Sequence, residues 1–310
     1  MIKKTILLWG IATDSPLARV RAALEQLAAP VIFLDQQRIL ETKMELTLNG
    51  TANGTLQVGR DKIALESINS VYARPYDARR MAAVERAGPE SLEWKRALFC
   101  EHLVTCWTEL TPALVVNRLS AMGSNGSKPY QAALIKSQGF EVPDTLVTTD
   151  RAAATAFCEK HGSVIFKSIS GVRSHVSRLG PEHCKRLGDL SNCPTQFQEH
   201  IDGTDVRIHV VGNEVFGCEI ESTADDYRYA RASDATLRIR ACTVSPALAD
   251  MCRGLAKSLN LAVAGIDLRR KRNDGCWCCF EVNPSPGFTF YEEATGQPIG
   301  EAIAKLLVTG

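Results

Sequence analysis

The stretch that decides the fold lies near the end of the chain, where residues 263–283 read VAGIDLRRKRNDGCWCCFEVN. Two strand-like runs flank Asn273-Asp274-Gly275, which is a strong hairpin turn. When the hairpin is centred on Asp274, Asp267 and Glu281 lie seven residues to either side. They are then cross-strand neighbours on one face of the hairpin. The sequence therefore predicts an antiparallel hairpin with two carboxylates side by side.

A third oxygen-bearing side chain joins this pair. Asn283 lies two residues beyond Glu281 and shares its face, because side chains alternate along a strand. The other face is expected to be apolar and to point into the core: Ile266, Leu268, Phe280 and Val282. Two carboxylates and an amide oxygen suit a hard cation such as Mg²⁺, without which the carboxylates repel each other. The alternative is a solvated polar face, with a register that differs by one residue.

The composition of the whole chain is that of an ordinary globular protein. It has 310 residues, 45% hydrophobic and 23% charged, and a formal net charge of +1. Disordered and fibrous classes are therefore excluded. A near-zero net charge argues against a nucleic-acid or membrane-surface binder, which would need a strong basic field. No apolar run approaches the ~20 residues that span a bilayer.

The first ten residues, MIKKTILLWG, are interpreted as a strand rather than a signal peptide. The eleven cysteines are odd in number and follow no export signal, so reduced thiols in a cytoplasmic protein are expected. Cys276, Cys278 and Cys279 do not have the paired spacing of a zinc site. They are interpreted as small apolar strand residues.

The beginning of the chain has the pattern of a β-α-β unit. Strands are expected at residues 5–9 and 31–34, and between them apolar residues recur at helical spacing: Leu17, Val20, Leu24 and Leu27. Such a unit opens a parallel sheet. The turn at residues 10–16 lacks the G-x-G-x-x-G pattern that lets a backbone approach a pyrophosphate, which disfavours a nicotinamide enzyme.

The rest of the first third is predicted to contain short strands and one long helix. Residues 41–75 are typical of strands with turns at Asn49-Gly50 and Asn53-Gly54. Residues 91–110 predict the helix. Its expected buried side is apolar and comprises Leu92, Leu98, Phe99, Leu103, Cys106 and Leu110.

Three regions follow from these patterns: an N-terminal α/β domain over residues 1–116, a central subdomain over 117–195 and a C-terminal subdomain over 196–310. The Gly/Ser/Asn-rich residues 117–128 mark the first boundary. The polar residues 171–194 are a candidate mobile cover. The expected fold class is α/β, with α+β character in the C-terminal half.

Residues 281–287, Glu-Val-Asn-Pro-Ser-Pro-Gly, together with the Ala-Gly-Ile-Asp of residues 264–267, resemble the signature of ATP-grasp ligases. The resemblance is strongest to the RimK-type branch, which contains the ribosomal-protein glutamate ligases. Further segments resemble the family in its order: Lys128, Gly139–Thr145, Lys167, Gln198–Ile201, Gly203–Arg207 and Asp226–Arg228. The resemblance covers about residues 115–307. It implies an ATP-grasp fold behind a Rossmann-like N-terminal domain.

The resemblance also implies an ADP-forming ligase that activates a carboxylate as an acyl phosphate and transfers it to an amine. Its cofactors would be ATP and Mg²⁺, with the cation on Asp267, Glu281 and Asn283. The implied nucleotide-binding residues are Lys128, Lys167, Ser170, Gly171, Arg173, Glu199, Ile201 and Asp205. Arg207 and Arg228 are the implied catalytic cations. Arg207 is alternatively a structural partner of Asp205, and the single glycine after Lys167 departs from the family's phosphate loop.

The implied partners are a small-molecule or peptide carboxylate and an amine acceptor. Residues 291–299 and, loosely, residues 72–75 resemble the microviridin-type macrocyclases (graspetide ligases), which form side-chain ester or amide rings in a precursor peptide. Three alternatives therefore stay open beside the RimK-like reaction: a graspetide macrocyclase, a small-molecule dipeptide ligase, and a nucleotide-binding module without catalysis. The sequence leaves dimerisation open.

Overall fold

A computed structural model describes residues 5–169, 176–222 and 236–310. The strands are β1 (Thr5–Gly10), β2 (Val31–Asp35), β3 (Lys43–Leu48), β4 (Ala52–Val58), β5 (Asp61–Ala64), β6 (Ile68–Ala73), β7 (Leu114–Val116), β8 (Thr145–Thr148), β9 (Val164–Ser168), β10 (Ser177–Arg178), β11 (Thr195–Glu199), β12 (Gly203–Val211), β13 (Glu214–Ser222), β14 (Leu237–Cys242), β15 (Val263–Lys271) and β16 (Trp277–Asn283). The helices are α1 (Ser15–Gln26), α2 (Ala82–Ala87), α3 (Leu92–Leu110), α4 (Lys128–Ser137), α5 (Arg151–His161), α6 (Pro181–Lys185), α7 (Pro246–Ser258), α8 (Thr289–Thr295) and α9 (Ile299–Thr309).

A parallel sheet in the order β2-β1-β6-β7 organises the N-terminal region, which confirms the predicted β-α-β opening. The side chain of Asp14 caps α1 by accepting a hydrogen bond from the Leu17 amide at 2.9 Å. Helices α1 and α9 share one apolar cluster with this sheet, and that cluster also includes Val211 and Val263 of the C-terminal region. The last helix therefore joins the two ends of the chain in one core.

A small antiparallel sheet, β3-β4-β5, lies beside the parallel one. The predicted turn at Asn49-Gly50 connects β3 to β4, and Gly50 has a φ of 89°. The second predicted turn is wrong, because Asn53-Gly54 lies inside β4. Gly54 is needed there for a different reason: a Cβ on it would come within 2.0 Å of the Glu45 carbonyl oxygen on β3. The Asn-Gly pair, which predicted a turn, marks a close approach of β4 to β3 instead.

Helix α3 begins after Ser91, whose side chain accepts a hydrogen bond from the Trp94 amide at 3.1 Å. The helix is present as predicted, but its predicted buried side is wrong. The buried residues are Ala97, Val104, Trp107 and Thr108. Trp107 and Val104 pack in the core beneath the parallel sheet, and Ala97 packs against a second small cluster. The expected buried residues Leu92, Phe99, Cys106 and Leu110 are exposed on the opposite side.

Two antiparallel sheets form the rest of the described chain, in the orders β10-β9-β11-β8 and β14-β13-β12-β15-β16. Helices α4 and α7 cover one face of the five-stranded sheet. The predicted irregular stretch 171–194 contains β10 and α6 in its described part, residues 176–194. Among the described residues, no helix has both the length and the apolar character needed to cross a membrane. All eleven cysteines fall in the described part and are free thiols. Cys278 and Cys279 are buried in β16 as expected, but the expectation is wrong for Cys276, which is exposed and precedes the strand.

Candidate active site

A cleft of about 520 Å³ lies between the four-stranded and five-stranded sheets. The central region contributes Lys167 from β9 and residues 198–202 at and after the end of β11. The C-terminal region contributes residues of β12, β13, β15 and β16, among them Asp267 and Glu281. The cleft therefore brings together side chains that the sequence resemblance assigned to nucleotide and to metal.

The predicted register of the last hairpin is confirmed at the carboxylates, because Asp267 of β15 pairs with Glu281 of β16. The register then shifts at a bulge between Asp267 and Leu268, so that Leu268 lies opposite Cys279. The expectation that Phe280 points into the core is therefore wrong. Cys279 takes the core position, and Phe280 lines the cleft.

Arg207 of β12 reaches across to β15, where its Nη1 donates to Asp267 Oδ1 at 2.7 Å. The arginine is 4% exposed, and its guanidinium lies 5.5 Å from the ring centre of Tyr291. Glycine at position 265 leaves room for this arrangement, since a Cβ there would come within 2.0 Å of Arg207 Nη2. Burial, with the neighbouring Arg207 charge, lowers the pKa of His209 well below its usual value, so the ring is neutral.

Lys128, the first residue of α4, places its Nζ 2.6 Å from Glu281 Oε1. Helix α4 is held against β16 by Gln131, which is buried. The Gln131 side chain donates to the Val282 carbonyl at 2.8 Å and accepts from the Val282 amide at 2.9 Å. Through these two bonds the Gln131 side chain pairs with the backbone of the edge strand β16, as a neighbouring strand would. They fix the start of the helix, and with it Lys128, beside the carboxylate.

The turn that follows β16 is held from several sides. Asn283 Oδ1 accepts from the Ser285 amide at 3.0 Å, and Asn117 Nδ2 donates to the Pro284 carbonyl at 2.6 Å. Arg74, which follows β6 in the N-terminal sheet, donates to Ser285 Oγ at 2.8 Å. The same guanidinium forms an ion pair with Asp14 at 2.7 Å. The N-terminal domain thus fixes the turn that carries Asn283.

A second cross-strand ion pair lies next to the first, with its charges in the opposite order. Asp205 of β12 binds Arg269 of β15 through two contacts, of 2.6 and 2.8 Å. The alternative in which Asp205 partners Arg207 is therefore wrong, because the register places Asp205 opposite Arg269 and Arg207 opposite Asp267. Arg269 also donates to the Ile201 carbonyl at 2.7 Å, and its guanidinium lies 5.3 Å from the centre of the Phe280 ring.

The central side of the cleft is formed by β9 and β11, where Lys167 pairs with Gln196. Glu199 lies at the end of β11, and its Oε1 accepts from the Asp144 amide at 2.9 Å. Its backbone lies along the cleft next to Ile201. The nucleotide-binding roles of Lys167, Glu199 and Ile201 stay predictions.

Four predicted site residues lie outside the described part of the chain: Ser170, Gly171, Arg173 and Arg228. The structure adds four residues that were given no role in the site: Arg74, Asn117, Gln131 and Arg269. Asn117 and Arg74 follow the ends of the parallel strands β7 and β6, which is where binding residues of such sheets collect. Their position after these strands could therefore have identified both as candidate site residues. The roles of Gln131 and Arg269 depend on contacts between segments far apart in the sequence.

The donor set fits a divalent cation of the Mg²⁺ type. Asp267 and Glu281 offer carboxylate oxygens from paired strands, and Asn283 offers an amide oxygen two residues along β16. Two carboxylates this close repel each other unless positive charge compensates them. Arg207 and Lys128 each compensate one of them here. The predicted pairing of Asp267 with Glu281 is confirmed, whereas the convergence of Asn283 with them and the role of all three as ligands stay predictions.

A family model described as a RimK-like ATP-grasp domain matches residues 127–307. No curated protein sequence matches the chain significantly. Solved structures match it over nearly its whole length. The macrocyclase MdnC from Microcystis aeruginosa, bound with precursor peptide MdnA, is 21% identical, with a TM-score of 0.80 over 99% of this chain and 100% of that one.

Two further structures are similar to the chain from end to end. The ATP-grasp ligase PsnB, complexed with a minimal precursor, Mg and ADP, is 26% identical, with a TM-score of 0.76 over 98% of this chain and 97% of that one. A RiPP-associated ATP-grasp ligase from Chryseobacterium gregarium, in complex with ADP and a leader and core peptide, is 22% identical, with a TM-score of 0.80 over 99% and 97%. The N-terminal domain is therefore included in the likeness.

Proposed function

This chain belongs to the RimK-like ATP-grasp family, and from that premise we propose that it is an ADP-forming macrocyclase that joins side chains within a precursor peptide. The observation that carries the proposal is the end-to-end likeness to ligases whose structures hold precursor peptides. It includes the N-terminal domain, which the family model leaves out. The first expectation from the sequence was the RimK-like ligation of a carboxylate to an amine. This likeness favours the graspetide alternative instead.

The residues at the end of the hairpin would hold Mg²⁺. Asp267, Glu281 and Asn283 supply oxygen ligands, and the PsnB structure that resembles this chain contains Mg and ADP. When bound, the cation would stabilise the negative charge that develops on the transferred phosphoryl group. With a cation on the carboxylates, the ammonium of Lys128 would be available to phosphate oxygens, whereas the buried Arg207 would stay paired with Asp267.

The reaction has two steps. An oxygen of a substrate carboxylate attacks the terminal phosphorus of ATP, which breaks the bond to ADP and gives an acyl phosphate. A hydroxyl or amine of the same peptide then attacks the acyl carbon, loses its proton to solvent, and displaces phosphate. Arg207 fits the first step, because its planar guanidinium is buried beside the cleft and is held in place by Asp267 and Tyr291.

The cleft would protect the acyl phosphate from water. Lys167 lines the central wall of the cleft, and Lys128 contacts Glu281 of β16, so that both would supply charge for crowded phosphates. Arg269 holds the Ile201 carbonyl and the Asp205 carboxylate in one geometry, so the wall that would contact adenine is preorganised.

The test is to incubate the protein with ATP, Mg²⁺ and a short acidic peptide encoded beside its gene. Each ring formed lowers the peptide mass by one water, and ADP and phosphate appear in equal amounts. A peptide whose acidic residues are replaced by their amides should give neither product. The Asp267→Asn variant serves as the enzyme control.

The products separate the alternatives. A peptide that gains the mass of an amino-acid residue would identify the RimK-like reaction. ADP release without any change in the peptide would indicate that the chain is a ligase with another substrate. Formation of AMP and pyrophosphate would overturn the proposed chemistry. ATP binding without turnover, unchanged in Glu281→Gln, would identify a binding module.

A further inference from the structure

Helix α8 lies on the face of the five-stranded sheet that carries Arg207, and its Tyr291 is 7% exposed. The Tyr291 ring contacts two side chains of β12. Its centre lies 5.5 Å from the Arg207 guanidinium and 5.0 Å from the centre of the His209 ring. On β13 the same ring packs with Cys218 and Ile220. The place of the Arg207 guanidinium therefore depends on where α8 holds Tyr291.

Glu292, the next residue of α8, joins this helix to both ends of the chain. Its side chain is 13% exposed. Oε1 accepts from Arg19 Nε of α1 at 2.5 Å, and Oε2 accepts from the Gly300 amide of α9 at 2.7 Å. Hydrogen bonds to an ionised carboxylate are stronger than those between neutral groups. One carboxylate therefore ties α8 to two other helices, with a different oxygen for each.

The contact with α9 takes the place of an ordinary helix cap. Pro298, which precedes α9, has no side-chain oxygen that could accept from the first amides of the helix. The Glu292 carboxylate accepts from one of them, and its negative charge lies at the positive end of the helix. Glycine at position 300 leaves room, since a Cβ there would come within 2.8 Å of Arg19 Cγ and 3.2 Å of Glu292 Oε2. The three helices thus meet tightly at this carboxylate.

Two of the three helices belong to the N-terminal core, because α1 and α9 pack in one buried apolar cluster with the parallel sheet. Ser15 at the start of α1 adds a second link to α8, since its Oγ lies 3.0 Å from Thr289 Oγ1. Helix α8 has only seven residues, and a helix this short depends on its neighbours for a fixed position. The N-terminal domain therefore helps to fix α8 on the sheet, and Glu292 makes the charged contacts.

We propose that Glu292 is a positioning residue that acts on Arg207 through Tyr291. By holding α8 against α1 and α9, its carboxylate keeps the tyrosine ring where it packs on the guanidinium. Glu292 is not among the residues that line the cleft in the described part of the chain, so its effect on the reaction is indirect. The inference rests on the proposed function in one respect, which is that Arg207 takes part in ATP turnover.

The first test measures how firmly α8 is held, without any reaction. Tyr291 packs on Cys218, whose side chain is 1% exposed. Alkylation of the native chain by iodoacetamide is followed at each cysteine by mass spectrometry. In Glu292→Ala the rate at Cys218 should rise ~10-fold, because α8 opens more often. Cys252, which is fully buried beside α4 and the other face of the sheet, is the internal control. Glu293→Ala, at the exposed next position of α8, is the matched variant and should label as the wild type does.

The second test asks whether Glu292 acts through Arg207. In Glu292→Ala the kcat for ADP release should fall ~10-fold, with the KM for ATP changed less, whereas Glu293→Ala should be near wild type. An Arg207→Lys background removes the planar group that Tyr291 holds. There Glu292→Ala should lower kcat by less than ~2-fold, since the two residues act as one unit. Equal falls in the two backgrounds would overturn the inference.

The two readouts also separate this inference from the proposed function. Faster alkylation of Cys218 with a wild-type kcat, or wild-type alkylation in Glu292→Ala, would overturn the inference. If Cys252 also reacts faster, Glu292→Gln is compared instead, because it keeps an acceptor for the Gly300 amide. A rise at both thiols in that variant too would show a general loss of packing and contradict a specific anchor. A wild-type chain that releases no ADP would count against the proposed function, while alkylation would still decide whether Glu292 anchors α8.

Discussion

The β15–β16 hairpin and helix α3 are both rich in apolar residues, and the sequence predicted both elements. Only in the hairpin did it also predict which side chains face together. Side chains of a strand alternate between two faces, and the Asn273-Asp274-Gly275 turn, which lies in the same segment, determines which residues of the two strands pair. In α3 apolar residues follow helical spacing on two opposite sides, and nothing within the helix decides between them. A local turn can determine register, whereas the buried side of a helix is determined by distant partners.

Even in the hairpin, local information ends at the bulge after Asp267. Up to that point the turn-centred count pairs Asp267 with Glu281 correctly. One extra residue on β16 then moves Phe280 to the cleft and Cys279 to the core. Because Phe280 packs against Arg269, the bulge directs an aromatic ring into the wall of the cleft.

The largest effect is expected from Glu281→Gln, which removes one charge from the predicted metal site. Turnover of ATP should fall by roughly 100- to 1000-fold, as it does when one group that stabilises a transition state is lost. Glu141→Gln is the matched control. Glu141 also forms an ion pair with a lysine at 2.6 Å, but at the other end of the hairpin, with Lys271. ADP release measured at saturating ATP should be near wild type in Glu141→Gln.

Loss of activity in both variants would show that the hairpin needs its lysine pairs for folding and would remove the contrast between its two ends. Unchanged activity in Glu281→Gln would contradict the metal prediction. A melting temperature for each variant separates these outcomes.

The next effect concerns the two sides of α3. Trp107→Ala empties a site in the core and should cost the N-terminal domain about 3–5 kcal/mol, whereas Phe99→Ala, on the exposed side of α3, should change stability by less than ~0.5 kcal/mol. Denaturant unfolding of the two variants and the wild type checks this difference. Equal losses from the two substitutions would contradict the observed orientation of the helix.

Local signals predicted most elements of the fold. The β-α-β opening, the helix over residues 91–110 and the last hairpin all follow from residues close together in the sequence. The pairing of Asp267 with Glu281 followed from the same local turn. Lys128 was identified through resemblance, and the structure places it against Glu281.

The rest of the site depends on contacts between distant segments. Arg207 was assigned either to the reaction or to Asp205, two residues away, because its pairing with Asp267 needs the register between β12 and β15. The contact between Arg74 and Ser285 joins residues 211 positions apart. Alternation along one strand cannot reveal such pairs, since they are set by which strands become neighbours.

The smallest effect tests whether the hairpin positions Arg207 as well as the predicted metal ligands. A Cβ at position 265 would approach Arg207 Nη2 to 2.0 Å and Pro286 Cβ to 2.8 Å, so Gly265→Ala should displace the guanidinium from Asp267. We expect about a 10-fold lower kcat, which corresponds to ~1.4 kcal/mol in the barrier, with the KM for ATP changed less. Gly254→Ala in α7 is the matched control, because its Cβ would meet nothing within 4 Å and alanine favours a helix. A wild-type kcat in Gly265→Ala, with a melting temperature equal to that of Gly254→Ala, would mean that Arg207 does not need its contact with Asp267. The hairpin would then contribute only the predicted metal ligands, and the Arg207 guanidinium would be positioned by β12 and Tyr291.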